Sequence, residues 1–227
     1  MIVFDLDDTL YLERDFAFSG YATLDAHVRE TTGRAGFGEL CREAFAAGRH
    51  RHAFDEALAA LDLPADPETI TKLVALYRTH VPNIVLCGDA RRCLTRLAAH
   101  LPLGLITDGP EATQRAKIAA LGIAPSFAVL RPTCTWGPEF SKPHPRAFLE
   151  LEAAAEGAPL VYVADNALKD FVTPRVRGWY AIQICRDGRL HTAPPPDKAH
   201  SPHAQIETLD ALEGTLQGLG WTPPGKG

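Results

Sequence analysis

The sequence lacks the features that would direct it to a membrane or to nucleic acid. It has no run of about 20 apolar residues that could cross a bilayer. Its first residues include Asp5, Asp7 and Asp8, where a signal peptide would be apolar. No block of basic residues interrupts a chain whose formal net charge is −5. We therefore expect a cytoplasmic protein that binds neither nucleic acid nor a membrane.

Cysteine and histidine are too scattered to indicate a disulfide framework or a zinc site. The five cysteines include no C-x-x-C pair, which favours reduced thiols. His50 and His52, like His200 and His203, have no acidic or thiol partners at zinc spacing. The 227 residues suit one large domain, or one domain with a small insertion, as a monomer or a homodimer.

Short apolar runs alternate with helical patterns over most of the chain, and this alternation predicts an α/β fold. Strands are predicted at 1–5, 103–107, 127–130, 160–164 and 180–184. Helices are predicted at 89–100, 110–121, 144–156 and 167–176. Such βαβ units build a Rossmann-like parallel sheet with helices on both faces.

Two regions depart from this alternation. Residues 16–81 repeat apolar side chains at helical spacing, which predicts an all-helical insertion of about four helices. The α/β core would then comprise residues 1–15 and 82–192. Residues 193–227 begin with a Pro-rich linker, and an amphipathic segment at 204–219 should pack on the core as a helix. The tail from Thr222 onward is expected to be mobile.

Acidic residues follow two of the predicted strands. Asp5, Asp7 and Asp8 come after the first strand, and Asp165 and Asp170 come after the strand at 160–164. In open α/β sheets, ligands bind beyond the carboxyl ends of the strands. Clustered carboxylates repel one another and resist burial unless a divalent cation such as Mg²⁺ lies between them. A solvated acidic turn and a helix-capping Asp165 are the alternatives.

Two further segments could bind an anion. Thr107, Asp108 and Gly109 end a strand with a hydroxyl and turn amides before a helix. Lys142 is held in an extended or turn context by Pro143, and it could offset the carboxylates or bind a phosphate oxygen. The alternatives are an ordinary strand-to-helix turn and a solvated lysine.

The order of four short motifs resembles a known family. D-L-D-D-T-L at 5–10, I-T-D-G at 106–109, K-P at 142–143 and A-D-N-A-L-K-D at 164–170 are similar to the motifs of the haloacid dehalogenase-like (HAD) hydrolase superfamily. The resemblance covers roughly residues 1–188, and local phrases such as 104–109 are also similar to phosphatase-like members. The helical stretch 16–81 looks like their C1-type cap, a small lid.

The resemblance implies a Mg²⁺-dependent phosphomonoester hydrolase that acts on a small phosphorylated metabolite. Asp5 would be the nucleophile that forms an aspartyl-phosphate, and Asp7 would be the general acid and base. Asp5, the Asp7 backbone carbonyl and Asp165 would hold the metal, and Asp170 would support it directly or through water.

The same resemblance implies a phosphate site and leaves the substrate contacts open. Thr107 and Lys142, with backbone amides near Leu6 and Asp108, would bind the phosphoryl oxygens. Candidate substrate contacts are Tyr11, Arg14 and Trp136, for which hinge or core packing is the alternative.

Two departures from the family pattern bear on the reaction. Ala164 replaces the glycine that often precedes the fourth motif, which we regard as harmless. The name-giving dehalogenases lack an Asp at the position that matches Asp7, so its presence favours phosphoryl transfer over halide displacement. A phosphomutase on the same fold and a low-turnover binding or regulatory protein are the alternative functions.

Overall fold

The computed structural model describes residues 1–223 and contains two compact units. Met1–Arg14 and the chain from Val85 onward form an α/β unit, and Asp15–Ile84 form a helical unit. Part of the predicted mobile tail, at positions 224–227, lies outside the described residues. Within residues 1–223, no helix has both the length and the apolar character needed to cross a bilayer.

The α/β unit is built on a parallel sheet. Its strands are β1 Ile2–Phe4, β2 Leu103–Thr107, β3 Val129–Pro132, β4 Val161–Ala164, β5 Tyr180–Ile184 and β6 Ala204–Ile206. They lie in the order β3-β2-β1-β4-β5-β6, and every neighbouring pair is parallel. The predicted fold class, a Rossmann-like parallel sheet with helices on both faces and an inserted all-helical region, is confirmed.

The helices of residues 1–223 alternate with these strands or belong to the helical unit. Their bounds are α1 Glu13–Thr32, α2 Phe37–Ala46, α3 Ala53–Ala60, α4 Pro67–Thr79, α5 Gly88–Ala98, α6 Glu111–Leu121, α7 Arg146–Ala155, α8 Val172–Val176 and α9 Leu212–Gly218. Short 3₁₀ turns occur at His50–His52, Ala124–Ser126, Thr133–Trp136, Pro138–Phe140 and Leu209–Ala211.

The centre of the sheet sets the position of the candidate site. Ile2 of β1 lies opposite Leu103 of β2 on one side and opposite Val161 of β4 on the other. The chain runs outward from β1 to β3 and then resumes on the other side of β1. This reversal leaves a crevice beyond the carboxyl ends of β1 and β4, where α/β sheets bind ligands. Asp5 and Asp165 are the residues that directly follow these two strands.

Apolar packing fixes α7 against the sheet. The Phe148 ring meets Tyr162 of β4 and Trp179 edge to face, with centroids 5.2 and 5.5 Å apart. All three side chains are almost fully buried, and aromatic pairs in this geometry add to the stability that burial gives. The strand ends that carry the acidic residues therefore rest on a well-packed core.

The helical unit has its own apolar interior. Its four α-helices bury aromatic and aliphatic side chains that include Tyr21, Phe37, Leu58 and Leu73. Gly20 permits a close approach, because a Cβ added there would lie 2.4 Å from the Tyr77 ring. The sequence periodicity predicts these helices because each one turns an apolar stripe toward the others.

Three elements differ from the sequence prediction. The helix predicted at 167–176 is shortened to Val172–Val176, because turns and bends occupy 167–171. The strand predicted at 127–130 begins two residues later, because pairing with β2 places Val129 opposite Gly104. The segment 204–219 is not one helix. It begins with the edge strand β6, whose Ala204 pairs with Ile182, and only Leu212–Gly218 form α9. The apolar side chains of α9, Leu212 and Leu216, are buried.

Candidate active site

The loop after β1 holds its three aspartates in different environments. Asp5 is buried, and Asp7 is partly buried. Asp8 adopts a left-handed backbone conformation with φ 52°. Its carboxylate accepts hydrogen bonds from the backbone N–H groups of Glu13 at 2.8 Å and Leu190 at 2.7 Å. Asp8 therefore shapes the loop, and its oxygens are occupied by the backbone.

Lys142 brings two of the predicted acidic residues together. Its ammonium lies 2.6 Å from Asp5 Oδ1 and 2.8 Å from Asp170 Oδ1, and it donates to the Tyr162 hydroxyl at 3.0 Å. Burial disfavours the charged lysine, but the carboxylates of Asp170 and Asp5 outweigh that effect and raise the pKa of Lys142. The side chain is a buried cation between two anions.

Asp5, Asp165 and Asp170 form a compact acidic cluster. One carboxylate oxygen from each lies within 4.8 Å of the other two. Within the described chain, Asp165 Oδ2 is buried without a hydrogen-bond donor. Burial raises the pKa of Asp5 to about 7 and that of Asp165 to about 10. Three clustered carboxylates with an unsatisfied oxygen have the donor chemistry of a divalent cation site.

The loop after β2 places Thr107 and Asp108 next to the same crevice. Asp108 accepts a hydrogen bond from the Lys142 backbone N–H at 3.1 Å and pairs with Lys169 at 2.7 Å. Burial alone would raise the pKa of Asp108, but Lys142 and Lys169 lower it overall. Thr107 and Leu6 are fully buried. The phosphate contacts predicted for Thr107 and for the backbone amides near Leu6 and Asp108 stay predictions.

Asp7 is held by side chains from its own loop and from α6. Its Oδ1 accepts hydrogen bonds from the Tyr11 hydroxyl and, at 2.7 Å, from Lys117 Nζ. Its Oδ2 accepts from Gln114 Nε2 at 2.9 Å, and the same amide contacts the Thr107 hydroxyl. Burial disfavours the carboxylate, but Lys117 and these hydrogen bonds lower the pKa of Asp7 overall.

These strand ends surround a cleft within the α/β unit. Its volume is about 130 Å³, and its lining is mostly charged. The lining residues are Asp5, Asp7, Glu13, Asp108, Asp165, Asn166, Lys169 and His191. The cleft therefore gathers Asp5, the predicted nucleophile, the hydrogen-bonded carboxylate of Asp7 and a group of potential cation ligands.

The candidate substrate contacts lie elsewhere. Tyr11 has no exposed surface, and its hydroxyl is used by Asp7. Arg14 lies against the backbone of Gly188. Trp136 packs against the core, and Arg146 covers its ring at 4.6 Å from the centroid. Among residues 1–223, the lining of the cleft includes none of these three side chains. The assignment of Tyr11, Arg14 and Trp136 as substrate contacts therefore stays a prediction.

The sequence interpretation missed several residues around the cleft. Gln114 and Lys117 are polar residues three positions apart, a spacing that places both on one face of a helix. Lys169 lies inside the D-N-A-L-K-D motif, directly before Asp170. Lys169 could have been noticed through its place in the motif, whereas the pattern of α6 gives no sign that Gln114 and Lys117 are buried. Glu13 and His191 carry no such sequence signal.

Comparison with known families and proteins adds evidence about the chain as a whole. The family model described as haloacid dehalogenase-like hydrolase matches residues 1–170. A glyceraldehyde 3-phosphate phosphatase from Pyrococcus abyssi is 32% identical over 157 residues. That alignment covers 65% of this chain and 64% of the relative, so about a third of the relative has no counterpart in the match.

Solved structures share the architecture at low identity. A 2-haloacid dehalogenase from Pseudomonas syringae superposes with a TM-score of 0.63 at 22% identity, covering 96% of this chain and 98% of that one. A protein from Bacillus subtilis, assigned as a HAD-hydrolase and bound to magnesium, gives 0.65 at 17% identity, covering 95% and 97%. At these identities the likeness shows a common fold and leaves the reaction open.

Proposed function

Because the chain belongs to the haloacid dehalogenase-like hydrolase family, we propose that it is a magnesium-dependent phosphatase that acts on a small phosphorylated metabolite. The observation that carries this proposal is the presence of Asp5 and Asp7 in one cleft. An alcohol leaving a phosphate ester needs a proton, whereas a halide leaves as a stable anion. A second carboxylate beside the nucleophile therefore favours phosphate esters over haloacids.

The relative from Pyrococcus abyssi supports this choice. Its name describes hydrolysis of a phosphate monoester of a three-carbon sugar, and it is 32% identical to this chain where the two align. The cleft of about 130 Å³ suits a phosphoryl group and the first atoms of an ester, and the net charge of −5 gives no general attraction for polyanions. Free small metabolites are the substrate class that we propose.

The reaction would proceed in two displacements. Asp7 rests as a carboxylate because its pKa is lowered, so it takes up a proton from solvent when the substrate binds. Asp5 then attacks phosphorus, the ester P–O bond breaks, and Asp7 gives this proton to the departing oxygen. Water then attacks the aspartyl-phosphate, Asp7 takes a proton from that water, and phosphate leaves while Asp5 is regenerated. Every proton in this sequence passes through Asp7.

Lys142 would contribute positive charge to both displacements. Its ammonium lies 2.6 Å from Asp5 and is buried, so its attraction to phosphoryl oxygens is weakly screened. The ion pair with Asp170 keeps the lysine in place when the Asp5 carboxylate becomes an acyl phosphate and loses its own charge. Asp170 therefore serves the lysine as well as the acidic cluster.

The described residues fit a divalent cation. Asp165 has a buried oxygen without a hydrogen-bond donor, and one carboxylate oxygen from each of Asp5, Asp165 and Asp170 lies within 4.8 Å of the other two. In this proposal these carboxylates and the Asp7 backbone carbonyl would hold Mg²⁺, which when bound supplies positive charge for the phosphoryl oxygens. The magnesium-bound structural neighbour from Bacillus subtilis supports the choice of ion.

A phosphate-release screen tests the reaction. We expect free phosphate from one or more members of a panel of about a hundred phosphorylated metabolites, ranked by kcat/KM. EDTA should abolish release, and Mg²⁺ should restore it. An isomerised sugar phosphate without free phosphate would indicate a phosphomutase. Halide release from 2-chloropropionate, with no phosphate from any ester, would contradict the proposal.

Thermal unfolding tests the cation site without relying on turnover. Because a ligand that binds only the folded state stabilises it, Mg²⁺ should raise the Tm of the wild-type protein. Asp165→Asn should lose most of this shift, and the exposed control Asp187→Asn should keep it. An equal Mg²⁺ shift in all three proteins would exclude Asp165 as a ligand.

A further inference from the structure

The carboxylate of Asp7 accepts hydrogen bonds from three side chains, which is more than its neighbours in the loop accept. Tyr11, Gln114 and Lys117 all donate hydrogen bonds to it, and all three donors are buried. Asp5, two residues earlier, receives one side-chain donor, Lys142. Because two of the three donors to Asp7 come from α6, its orientation is set in part from outside its own loop.

Two of these donors come from one face of α6. Gln114 and Lys117 are 1% and 4% exposed, although a glutamine and a lysine are costly to bury. An aliphatic side chain at either position would pack against the sheet without that cost. The two polar side chains therefore need a reason to be there, and their shared contact with Asp7 provides one.

Gln114 also links Asp7 to the loop after β2. Its amide nitrogen contacts both Asp7 Oδ2 and the Thr107 hydroxyl. Gly109, with φ 122°, lies against the same side chain, since a Cβ added there would be 3.3 Å from Gln114 Cδ. The glutamine thus joins two of the four motif segments.

The contacts of Gln114 and Lys117 with Asp7, called the tether below, hold its carboxylate apart from the acidic cluster. Asp5, Asp165 and Asp170 each contribute an oxygen to the group within 4.8 Å, and the Asp7 carboxylate is not part of it. An aspartate side chain free to rotate beside the proposed cation site could become another ligand. Held by α6, the carboxylate stays available for proton transfer.

We propose that Gln114 and Lys117 are positioning residues that hold the Asp7 carboxylate in the orientation for proton exchange with the leaving oxygen and with water. This inference rests on the proposed phosphatase function. Displacing a catalytic group by about 1 Å can reduce a rate by about a hundredfold, so a tether of this kind has a measurable effect.

The leaving group provides the readout. A weakly basic leaving group such as 4-nitrophenolate departs with little help from a proton, whereas an alkoxide depends on one. Loss of the tether should therefore slow alkyl phosphates much more than 4-nitrophenyl phosphate. A substitution that merely loosened the fold would slow both esters alike.

The experiment compares Lys117→Met with the wild type on 4-nitrophenyl phosphate and on the best alkyl phosphate from the screen. We expect kcat for the alkyl ester to fall by about 100-fold and kcat for the aryl ester by less than about 5-fold, with KM little changed. Lys117→Arg should recover part of the loss because it keeps a cation at the same place. Arg115→Met, on the exposed face of α6, should match the wild type.

A second variant guards against a folding defect. Gln114→Met removes both amide contacts at similar volume and should give the same preference for the aryl ester. Equal losses on the two esters in both variants, or wild-type kinetics in both, would overturn the positioning role. A wild type that hydrolyses neither ester would instead overturn the proposed function, and this inference with it.

Discussion

The interior of the helical unit and the carboxyl edge of the sheet bury opposite kinds of side chain. The helical unit encloses aromatic rings such as Tyr21 and Phe54, and its buried His80 is satisfied by the Tyr77 carbonyl at 2.6 Å. The carboxyl edge of the sheet buries Asp5 and Asp165, whose pKa values are raised. Buried apolar groups stabilise a fold, whereas crowded buried charges lower its stability and are retained where chemistry needs them.

This contrast predicts that substitutions at the two places have different consequences. Changes at the sheet edge should alter activity with little effect on stability. Changes in the interior of the helical unit should mainly lower the free energy of unfolding.

Asp5→Asn should have the largest effect on activity. An amide cannot attack phosphorus as a carboxylate does, so kcat should fall by at least about 10⁴-fold. The fold should survive because Lys142 keeps its partner Asp170 at 2.8 Å. Phosphate release and far-ultraviolet circular dichroism measure the two quantities, with Asp187→Asn as the control. A variant with wild-type turnover would exclude Asp5 as the nucleophile.

Leu58→Ala should have the largest effect on stability. Leu58 is 2% exposed in the interior of the helical unit, and deleting such a side chain costs about 2–5 kcal/mol. The control is Val81→Ala in the same unit, which is 89% exposed and should change stability by less than about 0.5 kcal/mol. Urea unfolding gives both values. Similar midpoints for the two variants would show that the interior of this unit contributes little.

The sequence predicts some elements much better than others, and the reason is local. The run Tyr180–Ile184 is apolar except for Gln183 and follows Gly178, and its predicted bounds agree with β5. Ala204–Ile206 look like the first turn of an amphipathic helix. They form a strand only because the exposed edge of β5 pairs with them. A three-residue edge strand is determined by a distant partner and leaves almost no pattern of its own.

The candidate site follows the same rule. Motif residues such as Asp5 and Asp165 are recognisable because they follow apolar strands whose carboxyl ends meet. The contact of Lys117 with Asp7 joins residues 110 positions apart, and helical periodicity alone would place that lysine in solvent. Contacts between distant parts of the chain determine which polar residues reach the site. A single sequence does not reveal those contacts.

The C-terminal segment offers a pH-dependent test, because it is anchored by a buried ion pair. Asp89 accepts hydrogen bonds from Arg186 Nη1 at 2.9 Å and from the Leu209 backbone N–H at 2.7 Å. Burial disfavours the charged carboxyl, but the Leu209 N–H and Arg186 outweigh it, so the pKa of Asp89 lies below its usual range. The stabilisation is therefore complete above the unfolded pKa of about 3.9 and is lost as pH falls through the lower folded value.

Asp89→Asn should be less stable than the wild type by about 2 kcal/mol at pH 7, since it weakens the hydrogen bonds of a charged acceptor to Arg186 and Leu209. The difference should shrink as the pH falls below about 4, where the wild type also loses the charge. Urea midpoints measured from pH 7 to pH 3 test this, with the exposed neighbour Asp187→Asn as the control. A difference that stays constant over this range would mean that the charge of Asp89 does not stabilise the fold.

The smallest effect, and the most direct comparison of the two units, comes from one substitution at two helical glycines. Gly214 of α9 is exposed, and a Cβ added there would meet nothing within 4 Å. Gly214→Ala should raise stability by about 0.5–1 kcal/mol, because alanine favours a helix and restricts the unfolded chain. Gly20→Ala in α1 should lower it by about 1 kcal/mol or more, since the new methyl would lie 2.4 Å from the Tyr77 ring. Urea unfolding of both variants gives the two signs. Stabilisation at both positions would mean that the helical unit can move Tyr77 aside and is packed less tightly than its aromatic interior indicates.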